Sequence, residues 1–319
     1  MRVKITDIAT YLPKKVVTND DLSKFLDTSH EWIYTRTGIE ERHVSSENEL
    51  TSTLAIEATK KLLSQSEIDP MSIDAIIVST TTGDTRFPSC ACKVQGAIGA
   101  YKAFAFDVNA ACAGFIYALA VADSMTKSMK LSKVLLIASE TITKFVDWTD
   151  RSTCVLFGDG AGAMLLEPIK DENDGIIATK LYANGEDEKY NSILSHNGEQ
   201  NGYRGYITMA GRSVFKYAID YMSMSMNEIL TENGMTLDDI DWIIPHQANR
   251  RILESMCKMR DFPIEKVIIT TQEHANTSSA SIPLALQKEL SKGTIKKGST
   301  LLFSALGAGL TWGAAIVKI

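Results

Sequence analysis

The feature that most constrains this chain is that its second half repeats its first. Ile73-Asp74-Ala75-Ile76-Ile77 lines up with Ile240-Asp241-Trp242-Ile243-Ile244, an offset of 167 residues. The same offset lays Asn109-Ala110-Ala111-Cys112-Ala113 over Asn276-Thr277-Ser278-Ser279-Ala280, and Ala118-Leu119 over Ala285-Leu286. Val134–Ser139 (VLLIAS) then matches Thr300–Ala305 (TLLFSA) at 166, and Gly162-Ala163-Met164 matches Gly313-Ala314-Ala315 at 151. A single match between apolar runs is cheap, but a series in the same order is the mark of duplication. AIIVSTTT, FAFDVNA, VLLIAS and AGAMLLE form the first series; WIIPH, KVIITT, TLLFSA and GAAIVKI form the second. These short β-branched runs are separated by longer amphipathic stretches, which specifies an α/β architecture. The boundary is expected in the polar stretch Pro168–Gly175, giving an N-terminal half over 1–170 and a C-terminal half over 171–319. If the halves pack as pseudo-twofold mates, equivalent turns meet at the middle, and Cys112 and the segment around Asn276 face a common cleft.

Composition narrows the function. The chain has 319 residues, 45% hydrophobic and 23% charged, the usage of an ordinary globular protein with a large core. Lys plus Arg number 33 against 39 Asp plus Glu, a net charge of −6, which argues against a surface built for nucleic acid. Any basic patch must therefore be local. The five cysteines, Cys90, Cys92, Cys112, Cys154 and Cys257, are odd in number and contain no C-x-x-C pair or His spacing suited to zinc. Reduced thiols and no metal are expected. The N-terminus MRVKITDIATYLP lacks the pattern of a signal peptide, and no run reaches about 18 apolar residues, so the expectation is a cytoplasmic protein without membrane association.

Three segments carry candidate chemistry. Cys112 lies between the strand AFDVNA and the apolar stretch AGFIYALAVADSM, where Phe115, Ala118, Leu119 and Ala122 recur at helical spacing. At such a strand-to-helix junction, unpaired N–H groups and the positive dipole end favour a thiolate and predict a pKa below the usual value of about 8.5. A buried cysteine acting as a small hydrophobe is the competing reading. His246 ends the strand WIIPH, the position where α/β folds commonly place chemistry, although a single strand-end histidine is more often structural. Asn276 follows the apolar run Val267–Thr271; capping of a helix by Asn276 or Thr277 is its alternative.

As an ordered set the motifs resemble the 3-oxoacyl-acyl-carrier-protein synthase III family, ketoacyl synthases of the thiolase superfamily. They are Asp27–Ile33, Arg36–Ile39, Phe87–Ser89, Ala110–Phe115, Phe157–Ala163, Pro245–Asn249, Asn276–Ser278 and Thr311–Gly313. The resemblance runs essentially end to end. It implies a thiolase-like fold of duplicated halves in five αβαβα layers, a homodimer, and a Cys-His-Asn centre of Cys112, His246 and Asn276. It implies no cofactor, coenzyme A thioester being a substrate, and the initiating reaction of fatty-acid synthesis. In that reaction an acyl group moves from acyl-CoA to Cys112 and condenses with malonyl-[acyl-carrier-protein], releasing CO2. The backbone N–H groups of Cys112 and of Ala308, within Gly307-Ala308-Gly309, would hold the oxyanion. Thr28, Trp32, Arg36, Arg151, Gly211 and Asn249 are implied to bind coenzyme A and its pantetheine. Lys216, Arg251 and Lys258 are implied to dock the acidic carrier, and Phe87 to reach the acyl pocket across the dimer interface.

Two departures stand out: Ala275 occupies a position where Gly is expected, and Arg212 one where a neutral amide is common. The rival within enzymes is a related condensing enzyme or a starter-unit acyltransferase of secondary metabolism. Acceptor use, malonyl-carrier protein against malonyl-CoA or another nucleophile, discriminates them. A non-catalytic partner subunit would lack the nucleophile that Cys112 supplies. A thioesterase would want a general base and a path for water.

Overall fold

The computed structural model describes residues 1–171, 173–185, 194–196 and 205–319. Five strands form one sheet in the order Arg2–Tyr11, Gly160–Ile169, Val134–Glu140, Ala75–Ser79, Phe104–Val108. The first two junctions are antiparallel and the last two parallel. A second sheet repeats the plan with Gly175–Ala183, Thr311–Lys318, Thr300–Gly307 and Trp242–Pro245, joined antiparallel, antiparallel and parallel. Its fifth position holds only a single parallel bridge between Ile243 and Val267. The strand expected over KVIITT is thus reduced to one contact, because Ile264–Lys266 winds as a 3-10 turn and Thr271–His274 as a helical turn.

The alternation of side chains across each strand builds the layers. From the first sheet, Ile76, Val78, Leu135 and Ile137 point outward onto Leu54, Ala58, Leu62 and Val94 of helices Thr51–Ser66 and Cys90–Ile98. Ala75, Ile77, Val134 and Leu136 point inward, where they meet Phe115, Ala118 and Leu119 of helix Gly114–Met129 and Ile282, Leu284 and Ala285 of helix Ser281–Ser291. Leu301, Phe303 and Ala315 of the second sheet close the same core from the other side. Leu302, Trp312 and Ile316 face helices Gly211–Glu232 and Arg250–Arg260 through Met222, Met226 and Met256. The result is a five-layered αβαβα sandwich. Its middle layer belongs to both halves, with Phe115 edge-on to Phe303 at a centroid distance of 6.0 Å. The strands Ala75–Ser79 and Val134–Glu140 are buried along their whole length, as parallel strands covered on both faces must be.

This packing positions the site. The two middle helices start where the chain turns away from the carboxyl ends of the parallel strands, the usual location of ligand sites in α/β sheets. Phe104–Val108 leads to Cys112, and Trp242–Pro245 leads to His246.

Candidate active site

Cys112 sits in the 3-10 turn Ala111–Ala113, one step ahead of the helix that begins at Gly114. Gly307 lies against this turn so closely that a Cβ there would meet Ala110 O at 2.7 Å and the backbone nitrogens of Cys112 and Ala113 at 2.8 Å. The Thr311 hydroxyl lies 2.9 Å from Ala110 O and 3.1 Å from Ala308 O, tying the two turns together. The turn around Ala308 is thereby held beside the Cys112 backbone.

The expectation of an acidified thiol is overturned. Burial pushes Cys112 up to about 12, the Glu140 carboxylate adds to the rise, and the Ser278 hydroxyl opposes it. The sulfur precedes the helix proper, whose N-cap is Ala113, and its loss of water outweighs the partial charge of a helix end.

His246 continues the parallel ladder through its N–H to Ser304 O at 2.8 Å. Its ring is buried, with Nδ1 2.7 Å from Ser281 Oγ, and that oxygen also accepts the Gln247 N–H at 3.2 Å. The arrangement suits a Ser281 hydroxyl donating to Nδ1 and a proton carried on Nε2. Burial lowers the imidazole pKa to about 4, so the ring is neutral at neutral pH.

Asn276 crosses to the other half, its N–H donating to Leu156 O at 2.9 Å and its carbonyl accepting Gly158 N–H at 3.0 Å. The side-chain Oδ1 accepts the Ser278 N–H at 2.9 Å, so the amide is oriented with Nδ2 as its free donor. Among the described residues, six that are not glycine have positive φ. Glu67, Lys130 and Asp261 close helix C-termini, whereas Ala111 (47°), Ala275 (53°) and Ser278 (51°) surround the site. Strain is concentrated where the side chains must be aimed. The unexpected Ala275 thus stands at a position whose backbone suits glycine.

Cys112, His246 and Asn276 line one cleft of about 740 Å³ together with Trp32, Arg36, Arg151, Gly211, Asn249 and Arg251. Arg212 lines it too, so four arginines and no carboxylate face the cleft among the described residues. The guanidinium carbons of Arg36 and Arg151 lie over the Trp32 ring, 4.4 and 5.1 Å from its centroid. Asn249 caps helix Arg250–Arg260 by accepting the Arg251 N–H at 2.8 Å, and its amide donates to Arg36 O at 3.1 Å. A second cavity of about 230 Å³ shares Cys112 and is lined by Thr81, Thr82, Ile142, Phe145, Phe157, Ile207, Ser278 and Ala308. Cys112 and Phe157 line both cavities.

Family models for 3-oxoacyl-[acyl-carrier-protein] synthase III match residues 106–185 and, for its C-terminal part, 230–319. The chain belongs to the 3-oxoacyl-[acyl-carrier-protein] synthase III family. It is 48% identical over 320 residues to the beta-ketoacyl-[acyl-carrier-protein] synthase III of Ehrlichia canis, covering 100% of this chain and 99% of that one. The protein of the same description from Wolbachia pipientis wMel is 49% identical over 98% of both chains. The crystal structure of 3-oxoacyl-[acyl-carrier-protein] synthase III from Aquifex aeolicus superimposes with a TM-score of 0.93 at 44% identity, covering 99% of this chain and 100% of that one. As a synthase III the chain is a condensing acyltransferase of fatty-acid synthesis, and its fold is thiolase-like.

Other residues implicated by the sequence lie outside these walls. Thr28 lines neither cavity, and its hydroxyl is buried without a partner. Lys216 and Lys258 are exposed on helices Gly211–Glu232 and Arg250–Arg260. Glu254, between Arg251 and Lys258 in sequence, pairs with Arg250 at 2.7 Å, and neither Arg251 nor Lys258 has an acidic partner among the described residues. Phe87 is 85% exposed and belongs to neither cavity of this chain. Sequence reasoning passed over Ser281 and Glu140 and took Ser278 only as part of the motif Asn276–Ser278. Their only signal is polarity in buried surroundings, since isolated polar residues show no periodicity. Among the described residues no cluster of His, Cys, Asp and Glu could hold a metal ion, and no helix is long and apolar enough to cross a membrane.

Proposed function

We propose that the chain loads Cys112 from acyl-CoA and condenses that acyl group with malonyl-[acyl-carrier-protein]. The observation that carries this reading is the shared cleft: Cys112, His246 and Asn276 open onto a wall of Trp32 and four arginines with no carboxylate among the described residues. Such a wall suits the adenine and phosphates of coenzyme A, stacking on Trp32 beside Arg36 and Arg151, with Thr28 next to them and pantetheine along Asn249 and Gly211.

In the first half-reaction the Cys112 sulfur attacks the thioester carbonyl, the backbone N–H groups of Cys112 and Ala308 hold the oxyanion, and the C–S bond to coenzyme A breaks. The thiol proton leaves with the coenzyme A sulfur, so no net charge is created in the buried site. The acyl chain enters the 230 Å³ cavity, whose size favours short primers, with Phe87 of a second copy completing it. In the second half-reaction Nε2–H of His246 and Nδ2–H of Asn276 donate to the malonyl thioester oxygen. The bond to the carboxylate breaks, CO2 departs, and the electron pair remains as the enolate. That carbon attacks the acyl-cysteine, and the expelled sulfur takes a proton from solvent. Decarboxylation removes no proton from carbon, so two neutral donors suffice, each worth roughly 2–4 kcal/mol.

The same reading assigns Arg251, Lys258 and Lys216 to an acidic carrier, because they are cations without acidic partners among the described residues, near an arginine-lined mouth. It also assigns a homodimer through the edge strand Phe104–Val108, half-exposed beside Phe87 and Tyr101, which are 85% and 71% exposed. The halves divide as 1–170 and 171–319, between strands ending at Ile169 and starting at Gly175. Five unpaired cysteines suit a reducing cytoplasm, and no cofactor is required.

Mass spectrometry after mixing with acetyl-CoA tests the proposal. One acyl group is expected on Cys112 and none on Cys90, Cys92, Cys154 or Cys257, followed by 3-oxoacyl-carrier product when malonyl-carrier protein is added. Label on another cysteine, or none from any short or medium acyl-CoA, overturns it. Equal use of malonyl-CoA as acceptor would favour a starter enzyme of secondary metabolism instead.

A further inference from the structure

Behind Cys112, the all-buried strand Val134–Glu140 ends on a carboxylate that no cation accompanies among the described residues. Glu140 is 0% exposed. Its oxygens accept from the hydroxyls of Thr82 at 2.6 Å and Thr80 at 3.3 Å, and from the Thr81 N–H at 3.2 Å, all in the N-terminal half. From the C-terminal half they accept the hydroxyls of Ser279 at 2.7 Å and Ser278 at 3.1 Å. Every bond to the carboxyl comes from a hydroxyl or an amide N–H, groups that favour its ionised form. Burial raises its pKa, and the hydroxyl and amide bonds oppose the rise. Burying a charge without a counter-ion is costly, so its retention calls for a reason.

Two connections supply one. Ser278, fixed by Glu140, donates its N–H to Oδ1 of Asn276 and thereby aims that amide. Ser278 also shares a cavity wall with Cys112, and the charge on Glu140 adds to the rise that burial imposes on that thiol while the Ser278 hydroxyl opposes it. We propose that Glu140 is a positioning residue of the condensing reaction. Its carboxylate clamps Ser278 and Ser279 of one half to Thr81 and Thr82 of the other, and sets a negative charge behind the Cys112 sulfur. The clamp aims Asn276 at the malonyl oxygen. Together with burial, the larger effect, the charge helps keep the resting nucleophile a thiol, so that coenzyme A rather than Cys112 is the better leaving group in the first half-reaction. Elements facing Glu140 bring hydroxyls and one amide from Thr80–Thr82, hydroxyls from Ser278 and Ser279, and Cys112 as the titratable group that feels its charge.

The inference rests on Cys112 being the acyl acceptor, but its test reads the sulfur whether or not that holds. The rate of Cys112 alkylation by iodoacetamide is followed against pH in Glu140→Gln, Ser278→Ala and Asp159→Asn. Asp159 is a second buried carboxylate, held by Ser45 and Thr143, and serves as the control for purely structural cost. Glu140→Gln is expected to move the midpoint down by about one pH unit, Ser278→Ala to move it up, and Asp159→Asn to leave it in place. Decarboxylation of malonyl-carrier protein is expected to fall about tenfold in Glu140→Gln while KM changes less than twofold. Midpoints shared by all variants and the parent, or moved alike by Asp159→Asn, overturn the inference. Should Glu140→Gln fail to fold, an unmoved or lowered midpoint in Ser278→Ala overturns it by itself.

Discussion

Replacing Asn276 is expected to separate the two half-reactions, because in the proposed mechanism its side chain serves one and leaves the other alone. Its Oδ1 is committed to the Ser278 N–H at 2.9 Å, so Asn276→Ala removes one pre-aimed donor, Nδ2, from a site only 7% exposed at that residue. Water has little room to replace it. Loss of one such donor costs about 2.7–4 kcal/mol, a fall of roughly two to three decades in decarboxylation and condensation. Asn276→Asp is expected to be worse, since it sets an acceptor and a buried charge where the enolate oxygen develops. Acylation of Cys112, held in a separate turn by Gly307 and Thr311, is expected to stay within about twofold of the parent rate. Cys112→Ala should do the converse, abolishing acylation and condensation while slow decarboxylation of malonyl-carrier protein continues. Labelled CO2 release and protein-bound label are measured separately for each variant. Asn276→Ala releasing CO2 at the parent rate, or Cys112→Ala still condensing, would show that the roles are wrongly assigned.

Gly307→Ala forces a methyl onto three backbone atoms at 2.7–2.8 Å, so acylation should drop at least about tenfold with a loss of stability of about 1–3 kcal/mol; parent-like acylation would remove the turn from oxyanion binding. Arg251→Glu with Lys258→Glu should raise KM for malonyl-carrier protein at least about tenfold, more than for acyl-CoA, and the gap should narrow with salt. Equal effects on both substrates would argue against docking there. His274 is buried with its pKa lowered to about 4, chiefly by burial, so the folded state favours the neutral ring. Its stabilising term is complete above the unfolded value near 6.5 and disappears as pH falls towards 4. The stability gap between parent and His274→Gln in urea should therefore shrink by about 2 kcal/mol from pH 7.5 to 5, and a gap that widens refutes the assignment.

What the sequence by itself determined was the repeated plan and the ends of its strands. Within the matching runs, Ala75–Ile77 and Trp242–Ile244 belong to core strands because a strand covered on both faces is apolar along its length, and that requirement is local enough to read. Cys112 and His246 were legible for a related reason, each following an apolar run at the point where the chain turns. Other features depended on partners distant in sequence. KVIITT reads as a strand, yet the chain bends after Val267 so that Asn276 can bond Leu156 and Gly158, a demand set by the other half. The direction of the Cys112 pKa was misjudged because helix position is local, whereas burial depends on distant elements such as the Gly307 turn, and the charge of Glu140 adds to it. Glu140 carries no pattern at all: a glutamate at the end of an apolar strand looks like a surface residue until hydroxyls from both halves converge on it. Periodicity records which face of an element is dry, but only the packing of two sheets around a shared helical layer decides which polar groups are sealed in together and which are left to act.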